Sequence, residues 1–285
     1  MRLIVLFIFL GSLSISCASP HLIKGPASSV ARQNKHINEP LNTPYPHLRI
    51  LGTAQDGGLP HAGCSCDNCL RAHLNPKAAS GVASLGIILP GPDKIFLVDA
   101  TPDITSQLKL LSSVRKRAPG RVDRNPVDGI FLTHAHMGHY LGLAHFGFES
   151  MSSQNIPLWC STQMGAFLTG NAPWDLLVKK NHLQLRPVNP QEPIKLGDSI
   201  QVIPLLVPHR AEYTDTFAYY IQGPRHRVLY IPDTAPWSAW KSPVDAIFEE
   251  VDIALIDATF FSADELPGRD ISTIGHPLMV ATMDL

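Results

Sequence analysis

Thr133-His134-Ala135-His136-Met137-Gly138-His139 follows directly on the apolar run Val127–Leu132. Three histidines in six residues at the mouth of a buried strand are not explained by packing. In an extended loop His134 and His136 point to the same side, so both can meet one ion. Gly138 is expected to let the chain turn and bring His139 to the same cavity. Neutral imidazoles at about 2.0–2.1 Å suit Zn, and also Fe or Mn where carboxylates join them. The competing reading is a polar, pH-sensitive loop that is rich in histidine by chance.

Outward from this stretch, other chain exits carry the same kind of residue. Ile95–Val98 delivers Asp99, Leu205–Val207 delivers His209, Leu229–Ile231 delivers Asp233, and Ala254–Ile256 delivers Asp257. Acid–base or ligand groups thus gather where the chain leaves a sheet. Strands are expected at His47–Leu51, Ser84–Leu89, Ile95–Val98, Val127–Leu132, Ile156–Cys160, Ile200–Val207, Phe217–Ile221, Val228–Ile231 and Val251–Ile256. Pro102-Asp103 opens a helix with Ile104, Leu108 and Leu111 on one face, and Arg115-Lys116-Arg117 is expected to complement its C-terminal end. Tyr140–Phe148 reads as a short helix, and Trp237 and Trp240 are candidates to pack on the Asp233 loop. The order is that of an α/β fold, two packed sheets with helices outside.

The chain has 285 residues, with 23 Lys+Arg against 24 Asp+Glu, a balance that excludes a generally basic nucleic-acid binder. Its 25 prolines disfavour long helices, and its 13 histidines make metal ligation worth testing. Arg2 and the apolar run Leu3–Leu10 read as a signal peptide over residues 1–16. Cys17 sits where a bacterial lipoprotein carries its lipidated cysteine, and residues 17–46, with five prolines from Pro20 to Pro46, read as a flexible tether. The expectation is an exported lipoprotein held at the bacterial cell envelope, its only membrane contact an N-terminal lipid anchor, with one folded domain over 47–285.

Cys64-Ser65-Cys66-Asp67-Asn68-Cys69 is compact enough to wrap a structural zinc, but supplies only three thiolates. His61 and His73 are candidates for a fourth ligand. The alternatives are disulfides, with Cys160 as a possible partner, or free thiols.

The histidine stretch resembles the His-x-His-x-Asp-His signature of the metallo-β-lactamase fold, with Gly138 in the Asp position. Asp99, His209 and Asp233 extend the resemblance. Gln55-Asp56-Gly57-Gly58, the cysteine cluster, Asp257-Ala258-Thr259-Phe260 and Gly275-His276 resemble the pyrroloquinoline quinone biosynthesis protein B-like branch of that superfamily. The resemblance implies an αββα sandwich with one or two metal ions at one edge of its sheets. His134, His136 and His209 would form the first site, Asp233 would bridge, and His139 would serve a second. His276 would stand in for a last ligand that lies further along in the family, the chain being short of a final strand and helix. Asp99 would orient ligand loops. Without a carboxylate at 138, one tightly held ion and a weak or absent second are expected.

The implied function is a metal-dependent hydrolase, in which water on the ion attacks an ester, lactone, amide or phosphodiester of a small, anionic substrate. Asp233 or Asp257 would orient that water or pass a proton to the leaving group. The alternatives are an iron-dependent oxidative enzyme and a non-catalytic metal-binding lipoprotein.

Overall fold

A computed structural model describes residues 4–7, 43–91, 93–115, 120, 122–210, 212–241, 244–265, 268, 270 and 275–285. The expected lipidation site Cys17, most of the leader and most of the tether lie outside these residues; Ile4–Phe7, inside the expected leader, instead pairs with Ile253–Ile256 as a strand of the sandwich, outside the expected bounds 47–285.

One sheet carries β2 (His47–Gly52), β3 (Ser84–Leu89), β4 (Lys94–Val98), β5 (Gly129–Phe131), β6 (Ile156–Cys160) and β7 (Leu183–Pro187), in that spatial order. The other carries β1 (Ile4–Phe7), β12 (Ile253–Ile256), β11 (Arg227–Ile231), β10 (Thr216–Gln222), β9 (Ile200–Val207) and β8 (Ile194–Leu196). Alternation along the strands divides the apolar residues into three layers. Leu85, Ile87, Phe96, Val98 and Phe131 meet Val202, Phe217, Tyr219, Tyr230 and Leu255 between the sheets. Ile95, Leu97 and Ile130 face the other way, onto Ile104, Leu108 and Leu111 of α2 (Ile104–Leu111) and Met164 and Leu168 of α4 (Thr162–Gly170). Leu229, Ile231, Ala254 and Ile256 pack on Val244 and Phe248 of α6 (Val244–Glu249). The result is the expected αββα sandwich.

β4 to β7 run parallel, and β9, β11 and β12 share a direction because β10 is antiparallel to both β9 and β11. Their C-terminal ends therefore collect at one edge, where Asp99, Thr133–His139, His209, Asp233 and Asp257 emerge. Two bonds tie the sheets there: the Tyr219 hydroxyl donates to the Leu132 carbonyl at 2.6 Å, and the Phe217 N–H to that of Thr133 at 3.0 Å.

Arg115 has a different place from the one expected, while Lys116 and Arg117 lie outside the described residues. α2 ends at Leu111, and Arg115 pairs instead with Asp128 and Asp93. Among the described residues no helix is long and apolar enough to cross a membrane.

Candidate metal centre

His134, His136, His209 and Asp233 bring one ligand atom each to a common point, all within 4.8 Å of one another. His134 Nε2 lies 2.8 Å from His136 Nδ1, and His209 Nε2 lies 3.3 Å from the same atom. Asp233 Oδ2 is 3.6 Å from His134 Nε2 and 3.5 Å from His209 Nε2. Atoms bound to one tetrahedral ion at about 2.1 Å lie roughly 3.4 Å apart. These four sit near that spacing.

Neighbouring residues set the tautomers. Asp99, at the end of β4 and fully buried, accepts from the Thr133 N–H at 2.9 Å, from the Thr133 hydroxyl, and from His139 Nδ1 at 2.8 Å. With its own proton given to Asp99, the Thr133 hydroxyl accepts from His134 Nδ1 at 2.9 Å, which leaves His134 Nε2 as a lone-pair donor. His136 Nε2 donates to Glu212 Oε2 at 2.9 Å and so presents Nδ1 inward. Trp240 Nε1 donates to Thr234 Oγ1, packing the tryptophan on the Asp233 loop as expected.

Protonation at His134, His209 and Asp233 fits a ligand set. Burial holds the His134 imidazole well below its ordinary pKa and lowers that of His209 to about 4, so both are neutral near pH 7. Burial acts the same way on His139, but the Asp233 and Asp99 carboxylates outweigh it and hold this ring well above its ordinary value. Burial pushes the Asp233 carboxyl up, yet the surrounding His139, His134 and His276 hold it well down as a carboxylate. His139 Nε2, which faces Asp56 and Asp233, is buried with no hydrogen-bond partner. Such atoms are costly without a ligand. The residues present fit a divalent metal.

Other expected residues fall elsewhere. Asp257 stays outside the ligand groups: it is fully buried and accepts from the Thr234 N–H, the Thr259 N–H and hydroxyl, and His276 Nδ1 at 2.7 Å. His276 is likewise not among the converging atoms, although its ring centroid lies 5.2 Å from that of His209. Burial lowers its pKa, but Asp257 outweighs this and raises it to about 9. Gly138 lies within α3 (Met137–Tyr140) and does not have the positive φ of a turn glycine, so its expected role as a hinge is not what the backbone shows.

Cys64, Cys66 and Cys69 form a second group of converging ligand atoms, all three as free thiols, and neither His61 nor His73 joins them among the described residues. The Cys69 N–H holds the Cys66 thiol below its ordinary pKa. Cys160 is also a free thiol, buried on β6. A shallow mouth beside His134 and His136 is lined by Arg210, Glu212, Tyr213 and Thr214.

A family model described as a beta-lactamase superfamily domain matches residues 94–285. The chain belongs to that family. It is 27% identical over 248 residues to a coenzyme PQQ synthesis protein B of Ruegeria pomeroyi, covering 80% of this chain and 79% of that protein. Its fold is similar to Zn(2+)-bound PqqB from Methylobacterium extorquens, with a TM-score of 0.68, 21% identity and 81% of each chain covered. A diphosphatase from the PhnP family also shares the fold, with a TM-score of 0.57, 22% identity, and 84% and 80% covered. Within the superfamily the chain is thus PqqB-like, as its motifs suggest.

Proposed function

We propose that this PqqB-like chain is a metal-dependent hydrolase of a small anionic ester, a phosphodiester above all, with carboxylic esters, lactones and amides as further classes. The supporting observation is the convergence of His134 Nε2, His136 Nδ1, His209 Nε2 and Asp233 Oδ2. His134, His136, His209 and Asp233 would hold a divalent ion of zinc, iron or manganese, which would supply Lewis-acid chemistry and an activated water near neutral pH. Arg210 at the mouth supplies the cation that meets an anionic substrate, with Glu212 Oε1 3.7 Å away to limit its pull. His276, protonated below about pH 9, would give a proton to the leaving oxygen, with Asp257 holding its ring. Of the two carboxylates expected in catalysis, Asp233 keeps its expected part as a ligand, and Asp257 is assigned a part behind His276.

The test is hydrolysis of bis(p-nitrophenyl) phosphate, p-nitrophenyl acetate, a lactone and an anilide by the full chain loaded with Zn²⁺ or Mn²⁺. Turnover lost in His134→Ala and His209→Ala supports the proposal. Fully loaded protein that turns over none of the four contradicts it. Similarity to coenzyme PQQ synthesis protein B favours a second reading, an iron-dependent oxidation. Oxygen uptake with Fe²⁺, in place of hydrolysis with Zn²⁺, would single that out. The apolar leader and Cys17 support a place in the cell envelope, on a lipid anchor.

A further inference from the structure

The signature position that is Asp in the superfamily is Gly138 here, yet a carboxylate occupies the same space. A Cβ built on Gly138 would lie 2.3 Å from Asp56 Oδ1 and 2.8 Å from Asp56 Cα, too close for any side chain. Asp56 comes from the turn after β2, where Gly58 N–H donates to the Gln55 carbonyl at 2.7 Å and has a φ of 70°. Backbone bonds between Leu59 and Ser80 and from Thr53 and Ala54 to Gly81 clamp both sides of that turn. Asp56 Oδ1 lies 3.3 Å from His139 Nε2, and Asp233 Oδ2 lies 3.5 Å from the same nitrogen. That nitrogen is buried, has no hydrogen-bond partner, and sits between the two carboxylates. The spacings are again near the roughly 3.4 Å of atoms sharing one tetrahedral ion. Asp233 Oδ2 is common to this group and to the first, so one oxygen faces both positions.

Resting on the metal-centre reading above, we propose that Asp56 replaces the missing signature carboxylate. It makes a second metal position with His139 and Asp233, and residue 138 is glycine because Asp56 fills its side-chain space. The two positions are thereby exchanged: a ligand moves from the histidine loop to the β2 turn, and the turn needs a glycine beneath it.

The experiment measures zinc per chain in full-length protein stripped and reloaded with Zn²⁺, with affinities from competition against a chromophoric chelator. Asp56→Asn, a half-exposed position, should weaken one zinc equivalent by at least about 100-fold and leave the remainder bound. Gly138→Asp alone should lose the same equivalent through collision with Asp56, and Asp56→Gly/Gly138→Asp should recover it. Asp56→Asn that binds the wild-type number of ions at wild-type affinity overturns the proposal, whether or not the Gly138 variants fold. A His134→Ala/His136→Ala control separates the two claims. If it sheds zinc while Asp56→Asn does not, only Asp56 is misassigned. If neither sheds zinc, the metal centre itself is misread.

Discussion

Replacing Asp99 in the metal-free protein separates what its carboxylate does from what its backbone demands. The residue is fully buried, has a φ of 64°, and accepts from the Thr133 N–H and from His139 Nδ1. Asp99→Ala leaves those two donors unpaired, at about 1–2 kcal/mol each, and loses the short polar side chain that makes Asp tolerant of the left-handed region, for about 1 kcal/mol more. His139 also loses its buried counter-charge, so nothing is returned and a net loss of about 4 kcal/mol is expected. Asp99→Asn keeps an acceptor for Thr133 and tolerates the backbone, which leaves about 1.5 kcal/mol for the bond to His139. For a domain of this size, at about 3 °C per kcal/mol, the melting temperature should fall by roughly 12 °C in the first and roughly 4 °C in the second. Urea unfolding and thermal melts of apo protein read both values. Equal losses, or losses under about 1 kcal/mol in each, would refute the assigned hydrogen bonds.

Four further outcomes are expected. Burial lifts the Cys160 thiol to about 12, so native metal-free protein should show Cys64 and Cys66 to Ellman's reagent and reveal Cys160 only on denaturation. Glu212→Gln should weaken zinc binding by about 10-fold through loss of the His136 partner, measured by chelator competition. His276 has a folded pKa near 9, above the ordinary imidazole value of about 6.5. Its stabilising contribution is therefore complete below about pH 6.5 and disappears as pH rises through 9. Hydrolysis should have an alkaline limb near 9 that moves to lower pH in Asp257→Asn. His61 N–H donates to Cys69 Sγ at 3.3 Å, and the His61 ring lies over Gly57 beside Asp56. Cys64→Ser/Cys66→Ser should therefore weaken zinc at the Asp56 position as well as at the cysteines, read as zinc per chain.

The strands that build the core were legible because continuous apolar runs are bounded by turns: Ser84–Leu89 and Ile156–Cys160 match β3 and β6 end to end. β7 escaped because its exposed alternation ends in Pro187, and β8 because three residues carry no period. α4 spreads apolar residues around its circumference, so no face marks it. At the site, His134, His136, His209 and Asp233 could be read because each lies within a few residues of a strand end, at Phe131, Val207 or Ile231. Asp56 could not. Gln55-Asp56-Gly57-Gly58 reads locally as a turn, and only the pairing of β2 with β3 brings it against Gly138. Thr133 and Glu212 act by orienting histidines, a role that depends on side-chain geometry rather than on spacing.

The most direct measurement is metal content by mass spectrometry on purified full-length protein, wild type against His134→Ala/His136→Ala and Cys64→Ser/Cys66→Ser. We expect the histidine variant to lose the ions of the histidine centre and retain the one at the cysteines, which the cysteine variant loses while also holding zinc more weakly at the Asp56 position. A histidine variant with the full wild-type metal content would contradict a metal centre at His134, His136, His209 and Asp233.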